Sequence, residues 1–127
     1  MVLPAQLRLR GYKCFDYLYK QGNRYYGSAM ILRVVISKPK LLKSTSSKIN
    51  KKLLKCAVSI SHKVSKKAVV RNKLRRLLHE HLKARLNNSQ DEYWALITLK
   101  PDSSVKTVEF LLKECDKLLF KAGLLKS

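Results

Sequence analysis

The chain has 127 residues, a one-domain length, and 46% of them are hydrophobic, enough to bury a core. It carries 28 Lys and Arg against 8 Asp and Glu, a formal net charge of +20. Such charge opposes folding, so it indicates a polyanionic partner, and clustered Lys and Arg are typical of nucleic-acid binding. An anionic membrane and an acidic protein are the alternative partners. So few acids argue against a two-metal carboxylate nuclease. We predict one domain over residues 1–127.

Cysteine usage and the absence of long apolar runs bear on the compartment. Cys14, Cys56 and Cys115 lie far apart among apolar residues, without a CxxC pair. This spacing argues against a zinc ribbon and predicts buried free thiols in a reducing compartment. The longest apolar run, 29–36, contains Arg33 and is too short to cross a bilayer. No signal peptide is recognisable, and we expect a cytoplasmic protein.

The first helix and strand are predicted from residue periodicity. Residues 12–21 have a helical period, with Phe15 and Tyr19 on one face, and a glycine follows. Residues 26–36 alternate as a strand with one uniformly apolar face. The other face contains Arg33 in an apolar row, so we expect no helix to cover it.

A polar segment and a second strand follow. Residues 37–52 are rich in Lys and Ser, without a clear period, and predict a mobile loop. Residues 54–61 alternate again, with Ser59 and Ser61 on a small, polar face. Two such strands predict a sheet covered on one side.

The second half of the chain is predicted to form a helix, a strand and a further helix. Residues 67–86 predict a long basic helix and 93–99 a third strand, so the strands on either side of the basic helix form a parallel pair. Residues 104–122 predict a last helix, capped by Ser103 or Ser104.

The basic helix has two different faces when projected at about 100° per residue. One arc carries Val70, Leu74, Leu77, Leu78, His81 and Ala84. The other carries Arg71, Asn72, Arg75, Arg76, His79 and Lys83. Like charges four residues apart destabilise an isolated helix by a few tenths of a kcal/mol per pair. Because no local acid offsets them, the pattern favours an external phosphate partner, for which the planar fork of Arg is suited.

Two further features have competing interpretations. The "HEH" sequence at 79–81 suggests a stand-alone nuclease, but residues two apart do not share a helical face and no carboxylate cluster is evident. We therefore predict neither a metal site nor a catalytic residue in this chain. Phe15 and Tyr19 are suited to stacking unpaired bases beside Arg33, or simply to packing the first helix on the sheet.

The basic helix and its flanks carry a family resemblance. The stretch "SISHKVSKKAVVRNKLRR" resembles the Arg-Asn-Arg region of the protein subunit of bacterial ribonuclease P. The stretch "LRLRGYKCFDYLYKQGNRYYGSAMILRVV" is similar to that family's opening helix and first long strand, and the similarity spans essentially the whole chain. One departure is Lys73, where the family usually has Arg; it keeps the charge and loses the bidentate fork.

The resemblance implies a fold and a function. The fold is an α+β two-layer sandwich in the order α-β-β(-β)-α-β-α, with a left-handed βαβ crossover that general rules would not predict. The function is that of the protein component of ribonuclease P, which assists removal of the 5′ leader from precursor tRNA. Catalysis belongs to the RNA with bound Mg²⁺. The implied partners are the ribonuclease P RNA and precursor tRNA, with no membrane and no obligate protein partner.

The resemblance also implies two sets of binding residues. The residues facing the RNA subunit are Lys67, Arg71, Asn72, Lys73, Arg75, Arg76 and His79. The residues lining a cleft for the single-stranded leader are Phe15, Tyr19, Arg33, Ser59, Ser61 and Lys63. The competing interpretation is a structural RNA-binding protein, ribosomal or a chaperone, without a processing role.

Overall fold

The computed structural model describes Leu9 and residues 12–36, 55–86 and 93–124, so the loop predicted at 37–52 lies outside the described residues. The elements are α1 (Tyr12–Gln21), β1 (Asn23–Tyr26), β2 (Met30–Ile36), β3 (Lys55–Ser59), α2 (Ala68–Leu86), β4 (Tyr93–Leu99) and α3 (Val108–Lys121). A 3-10 helix, Pro101–Val105, precedes α3. This order confirms the predicted α+β class. Within these ranges, no helix is both long and apolar enough to cross a membrane.

The four strands form one mixed sheet in the order β1-β2-β4-β3. β2 pairs antiparallel with both β1 and β4, whereas β3 and β4 are parallel. A parallel pair needs a crossover connection, and α2 supplies it. The predicted parallel pair is therefore confirmed, and the left hand of the crossover stays a prediction.

The strand predicted over 26–36 is wrong in extent, because the chain reverses direction within it. Tyr26 ends β1 and pairs with Ile31 of β2, and the Gly27 N–H donates to the Met30 carbonyl at 2.8 Å. The Glu114 carboxylate of α3 accepts hydrogen bonds from the backbone N–H groups of Ser28 and Ala29. A Cβ at residue 27 would meet that carboxylate, so a larger residue there would require the Glu114 side chain to move.

One face of the sheet carries the main core. The apolar side of β2, the alternate residues of β3 and β4, and the inner faces of α2 and α3 meet there. Its largest fully buried side chains include Met30, Leu32, Leu78, Leu82 and Ile97.

The opposite face is half covered, which corrects the expectation that no helix packs on it. Cys14 and Leu18 of α1 pack against Val35, Trp94 and Leu96 in a second buried cluster. These three strand residues are apolar, and burying them stabilises the α1–sheet contact by about 25 cal/mol per Å². To the two predicted layers, α1 thus adds a partial third.

The last helix starts later than predicted. The Thr107 hydroxyl accepts a hydrogen bond from the Phe110 N–H at 3.1 Å, so Thr107 is the N-cap rather than Ser103 or Ser104. Ser103 lies inside the 3-10 helix, and Val105, which falls within the predicted range of the last helix, is 81% exposed.

The three cysteines are buried and none of them forms a disulfide, as predicted. Burial raises the pKa of Cys56 and of Cys115 to about 12, so neither thiol ionises near neutral pH.

A carboxylate joins α2 to α3. Asp116 lies 2.8 Å from His81 Nε2, and Arg85 donates to both of its oxygens at 3.2 and 3.3 Å. Partial burial raises the pKa of Asp116, but the hydrogen bonds from Arg85 and His81 outweigh it, and the net shift is downward. His81 is therefore a structural residue at the α2–α3 contact.

Replacing Asp116 with Asn should lower the free energy of unfolding by about 1 kcal/mol at pH 7. Because the folded-state pKa of Asp116 is depressed, its contribution is present above the unfolded value of about 3.9 and is lost as pH falls through the folded value. Urea unfolding of both proteins at several pH values measures this. Asp102→Asn removes the same charge at an exposed position and serves as the control. A difference that persists undiminished in acid would contradict the assignment.

Candidate nucleic-acid interface

The buried side of α2 is rotated relative to the predicted arc. Leu78, Leu82 and Leu86 are buried, whereas Val70 and Ala84, the first and last residues of the predicted apolar arc along the chain, are exposed. A ridge of residues four apart packs into the core, and this tertiary contact decides the rotation of the helix. The predicted arc is thus correct in its leucines at 74 and 78 and wrong at its ends.

The rotation changes the position of two predicted RNA-binding residues. Arg71 and Arg75 project on the same side as Leu78 and Leu82, and both are half-buried. Arg71 Nη1 donates to the Ser65 carbonyl at 2.8 Å, which ties the start of α2 to the preceding turn. These arginines therefore lie at the edge of the buried face rather than on the outer face.

The remaining predicted residues of the helix are more exposed. Lys67, Asn72, Lys73 and Arg76 are exposed, and His79 is half-buried. Arg75 Nη1 donates to the Asn72 amide oxygen at 2.9 Å, so the amide orients one of the guanidinium groups. We name the cations Lys67, Arg71, Lys73, Arg75 and Arg76 the α2 cation surface. Among the described residues, none of them forms an ion pair with an acid.

A second polar surface lies where α1 leaves the sheet uncovered. Arg33 of β2 lies opposite Leu96 of β4, and the next residues on this face are Thr98 and, across from it, Ser59. Arg33 Nη1 donates to the Thr98 hydroxyl at 3.3 Å. The guanidinium carbon of Arg33 lies 4.7 Å from the centre of the Tyr19 ring. This is a cation–π contact.

The two aromatic residues of α1 differ in their environment. Phe15 packs against the second buried cluster, as the packing interpretation predicts. Tyr19 is 45% exposed, and one face of its ring covers Arg33. We name the surface formed by Phe15, Tyr19, Arg33, Thr98 and Ser59 the open cleft.

The turn after β3 connects the two surfaces. Ser61 and Lys63 are exposed in it, and the Ser61 hydroxyl accepts a hydrogen bond from the Lys63 N–H at 3.2 Å. Residues 60–67 lead from Ser59 in the open cleft directly into α2. The turn thus joins Ser59, Ser61 and Lys63 of the predicted leader set to Lys67, the first residue of the predicted RNA-subunit set.

Sequence reasoning missed Thr98. The sequence pattern could have indicated it, because residues 94, 96 and 98 share one face of the third predicted strand. Thr98 is the one of the three that has a hydroxyl group. Its role became visible only through its contact with Arg33, which is 65 residues away in the chain.

The described residues contain no group of three or more His, Cys, Asp or Glu side chains arranged to hold a metal ion. In the "HEH" sequence, His81 contacts Asp116 at the α2–α3 contact, while His79 projects to another side of the helix. The stand-alone nuclease interpretation is therefore not supported by the geometry of the histidines.

A sheet face with an aromatic ring over an arginine, next to the α2 cation surface, defines an RNA-binding α+β protein. The family model "Ribonuclease P" matches residues 3–123. The ribonuclease P protein component of Prochlorococcus marinus strain NATL1A is 54% identical over 99% of this chain and 100% of its own length. That of Parasynechococcus marenigrum strain WH8102 is 47% identical over 98% of each. The chain belongs to the ribonuclease P protein component family of bacterial type.

Solved structures agree on the fold. The Staphylococcus aureus RNase P protein superposes with a TM-score of 0.75 at 16% identity, covering 94% of this chain and 97% of its own. The Thermotoga maritima RNase P protein gives 0.69 at 15% identity, covering 90% and 96%. The family resemblance is thereby confirmed, and the protein is an RNA-binding component in tRNA processing rather than a structural RNA-binding protein without a processing role.

Exposed cations that neutralise phosphates make RNA affinity depend on salt. Each phosphate contact contributes about 0.7 to 0.9 to the slope of log affinity against log salt concentration. Replacing Lys73 and Arg76 together with Ala should therefore reduce that slope by roughly 1.4 to 1.8, measured by binding of its RNA partner over a salt series. The matched control replaces Lys117 and Lys121, two exposed cations of α3. Equal slopes for both double variants would contradict a specific role for α2.

Proposed function

We propose that the α2 cation surface binds the RNA subunit of ribonuclease P and that the open cleft binds the 5′ leader of precursor tRNA. The observation that carries this proposal is the junction of the two surfaces at the carboxyl end of β3, through residues 60–67. A substrate strand in the cleft and an RNA subunit on the helix would then lie side by side. The protein would thereby hold the leader next to the catalytic RNA.

The α2 cation surface is suited to a folded RNA. Arg71 and Arg75 are held by the Ser65 carbonyl and the Asn72 amide, so part of their rotamer freedom is already lost before binding. Lys67, Lys73 and Arg76 are exposed and reach solvent, where phosphates of a helix or junction would displace counterions. To this set we add Asn72, which orients Arg75, and His79 on the same helix.

The open cleft is suited to an unpaired strand. An aromatic ring gives every base a stacking partner, which makes Tyr19 a sequence-tolerant contact. Arg33 beside it offers positive charge for the backbone, while Ser59, Ser61 and Lys63 supply donors along the exit toward α2. A mature tRNA lacks the leader, so this cleft favours precursor over product.

The chemistry of cleavage is assigned to the RNA. Bound Mg²⁺ would supply the activated water and the charge stabilisation for phosphodiester hydrolysis, and RNA phosphates would hold it. The protein contributes by positioning the leader and by neutralising phosphate repulsion, which lowers the ionic requirement for assembly. We place this activity in the cytoplasm, where precursor tRNA is made.

Adding the protein to the ribonuclease P RNA of its source organism should restore accurate 5′ cleavage of a precursor tRNA at low Mg²⁺. The reason is that the protein's cations replace part of the ionic screening that Mg²⁺ otherwise provides. Cleavage rates with RNA alone, with protein alone and with both measure this. Cleavage by protein alone would refute the assignment of catalysis to RNA. Tight RNA binding without rescue would refute the processing role.

Replacing Tyr19 with Ala should weaken precursor binding by the assembled enzyme roughly 5- to 150-fold, the range for loss of one stacked base. Binding of mature tRNA should stay unchanged, since it has no leader. Fluorescence titration of both RNAs measures the ratio. Tyr93→Ala, a partly exposed tyrosine on the opposite face of the sheet, is the control. Equal losses of affinity for precursor and mature tRNA would show that Tyr19 does not contact the leader.

A further inference from the structure

The first strand carries two side chains on the cleft side of the sheet. In the antiparallel pair of β1 and β2, Arg24 lies directly opposite Arg33, and Tyr26 lies opposite Ile31. Directly paired residues project to the same face, so Arg24 and Tyr26 share the face of Arg33. Neither belongs to the binding residues discussed above. β1 is an edge strand of the sheet, so this face continues to its border.

Neighbouring residues of β1 project to opposite faces of the sheet, so one packs against the core and the next lies at the surface. Tyr25 points to the other face and packs against the main core. Tyr26 is 60% exposed, so its ring is not needed to fill the interior. The ring is therefore available to a partner with a flat apolar surface. A nucleobase has that surface.

The pairing of Arg24 with Arg33 is an electrostatic argument for an anionic partner on this face. Like charges directly opposite each other across two strands are destabilising. An anion bound between the two guanidinium groups would turn the repulsion into attraction.

We propose that β1 extends the open cleft by one strand, with Tyr26 as a second base-stacking platform and Arg24 and Arg33 together holding a phosphate. The occupant is a single-stranded RNA segment. This inference rests on the proposed binding of the leader and lengthens its footprint on the protein.

The order of the two platforms on this face fits a continuous strand. Tyr26 and Arg33 are diagonal neighbours on paired strands, and such Cβ atoms lie roughly 7–8 Å apart. Tyr19 covers Arg33, so the two tyrosine rings flank the arginine pair. A phosphate held at the arginine pair would then lie between a base on one ring and a base on the other. The path therefore runs from the turn after β3 across β4 and β2 to β1.

A leader-length series tests the extension. Precursor tRNAs with leaders from one to about ten nucleotides are titrated with the assembled enzyme carrying wild-type protein, Tyr26→Ala or Tyr26→Phe. Tyr26→Ala should bind short leaders like the wild type and lose roughly 5- to 150-fold on leaders long enough to reach β1. Tyr26→Phe keeps the ring and should retain affinity. Arg24→Gln should reduce the salt slope by about 0.7 on the same long leaders.

The possible results distinguish a failure of this inference from a failure of the proposed leader binding on which it rests. If wild-type enzyme binds precursor and mature tRNA equally, leader binding itself is refuted. If wild type prefers precursor and Tyr26→Ala matches it at every leader length, the extension alone is refuted. An equal loss on all leaders and on mature tRNA would assign Tyr26 a structural role and also refute the extension. Tyr93→Ala, on the other face, controls for loss of an exposed ring.

Discussion

The parallel pairing of β3 with β4 is the constraint on which the interface depends. Two parallel neighbours must be joined by a crossover, and the chain uses α2 for it. The crossover has to start at the carboxyl end of β3, so the first turn of α2 is held at one end of the sheet. The cations of that helix are placed there by topology, before any side-chain contact is considered. A hairpin connection would have left them elsewhere.

The open cleft exists because one sheet face changes character along its strands. On β4, Trp94 and Leu96 are buried under α1, and two residues later Thr98 is only half-buried. On β2, Val35 is buried and Arg33 is half-buried. A short helix is sufficient to cover the apolar half, and a longer one would desolvate the guanidinium of Arg33, at a cost of several kcal/mol for an uncompensated charge. The length of α1 is thus matched to the apolar part of the face.

The sequence predicted the elements whose limits are set locally. Residues 12–21 and 93–99 were placed correctly because a glycine follows the helix and polar residues flank the strand. β1 was missed because four residues, "NRYY", have no apolar alternation to detect. The start of α3 was misplaced because Val105 continues the helical period, although Pro101 starts a 3-10 helix and Thr107 supplies the cap. Local sequence patterns cannot distinguish a 3-10 helix followed by a capped helix from one continuous helix, and they do not reveal a four-residue strand without alternation.

The residue types of the candidate site could be predicted from the sequence, whereas their arrangement in space could be predicted only in part. The basic residues of α2 stand out in the sequence, but their rotation follows from how Leu78 and Leu82 dock, which is a tertiary property. The contacts of Arg33 with Tyr19 and Thr98 join three separate elements, and no single-sequence pattern encodes them.

The same contacts explain why the cations are useful to an RNA. A flexible cation loses side-chain entropy when it binds, about 0.5–1.5 kcal/mol for each rotamer-rich side chain. Arg71 is already held by the Ser65 carbonyl and Arg33 by the Thr98 hydroxyl, so part of that loss has occurred during folding. Lys73 and Arg76, on the outer side of α2, are exposed and retain the freedom that adapting to phosphates in varying positions would need. The interface therefore combines fixed guanidinium groups near the sheet with adaptable charges farther out, an arrangement suited to a partner with one folded surface and one flexible strand.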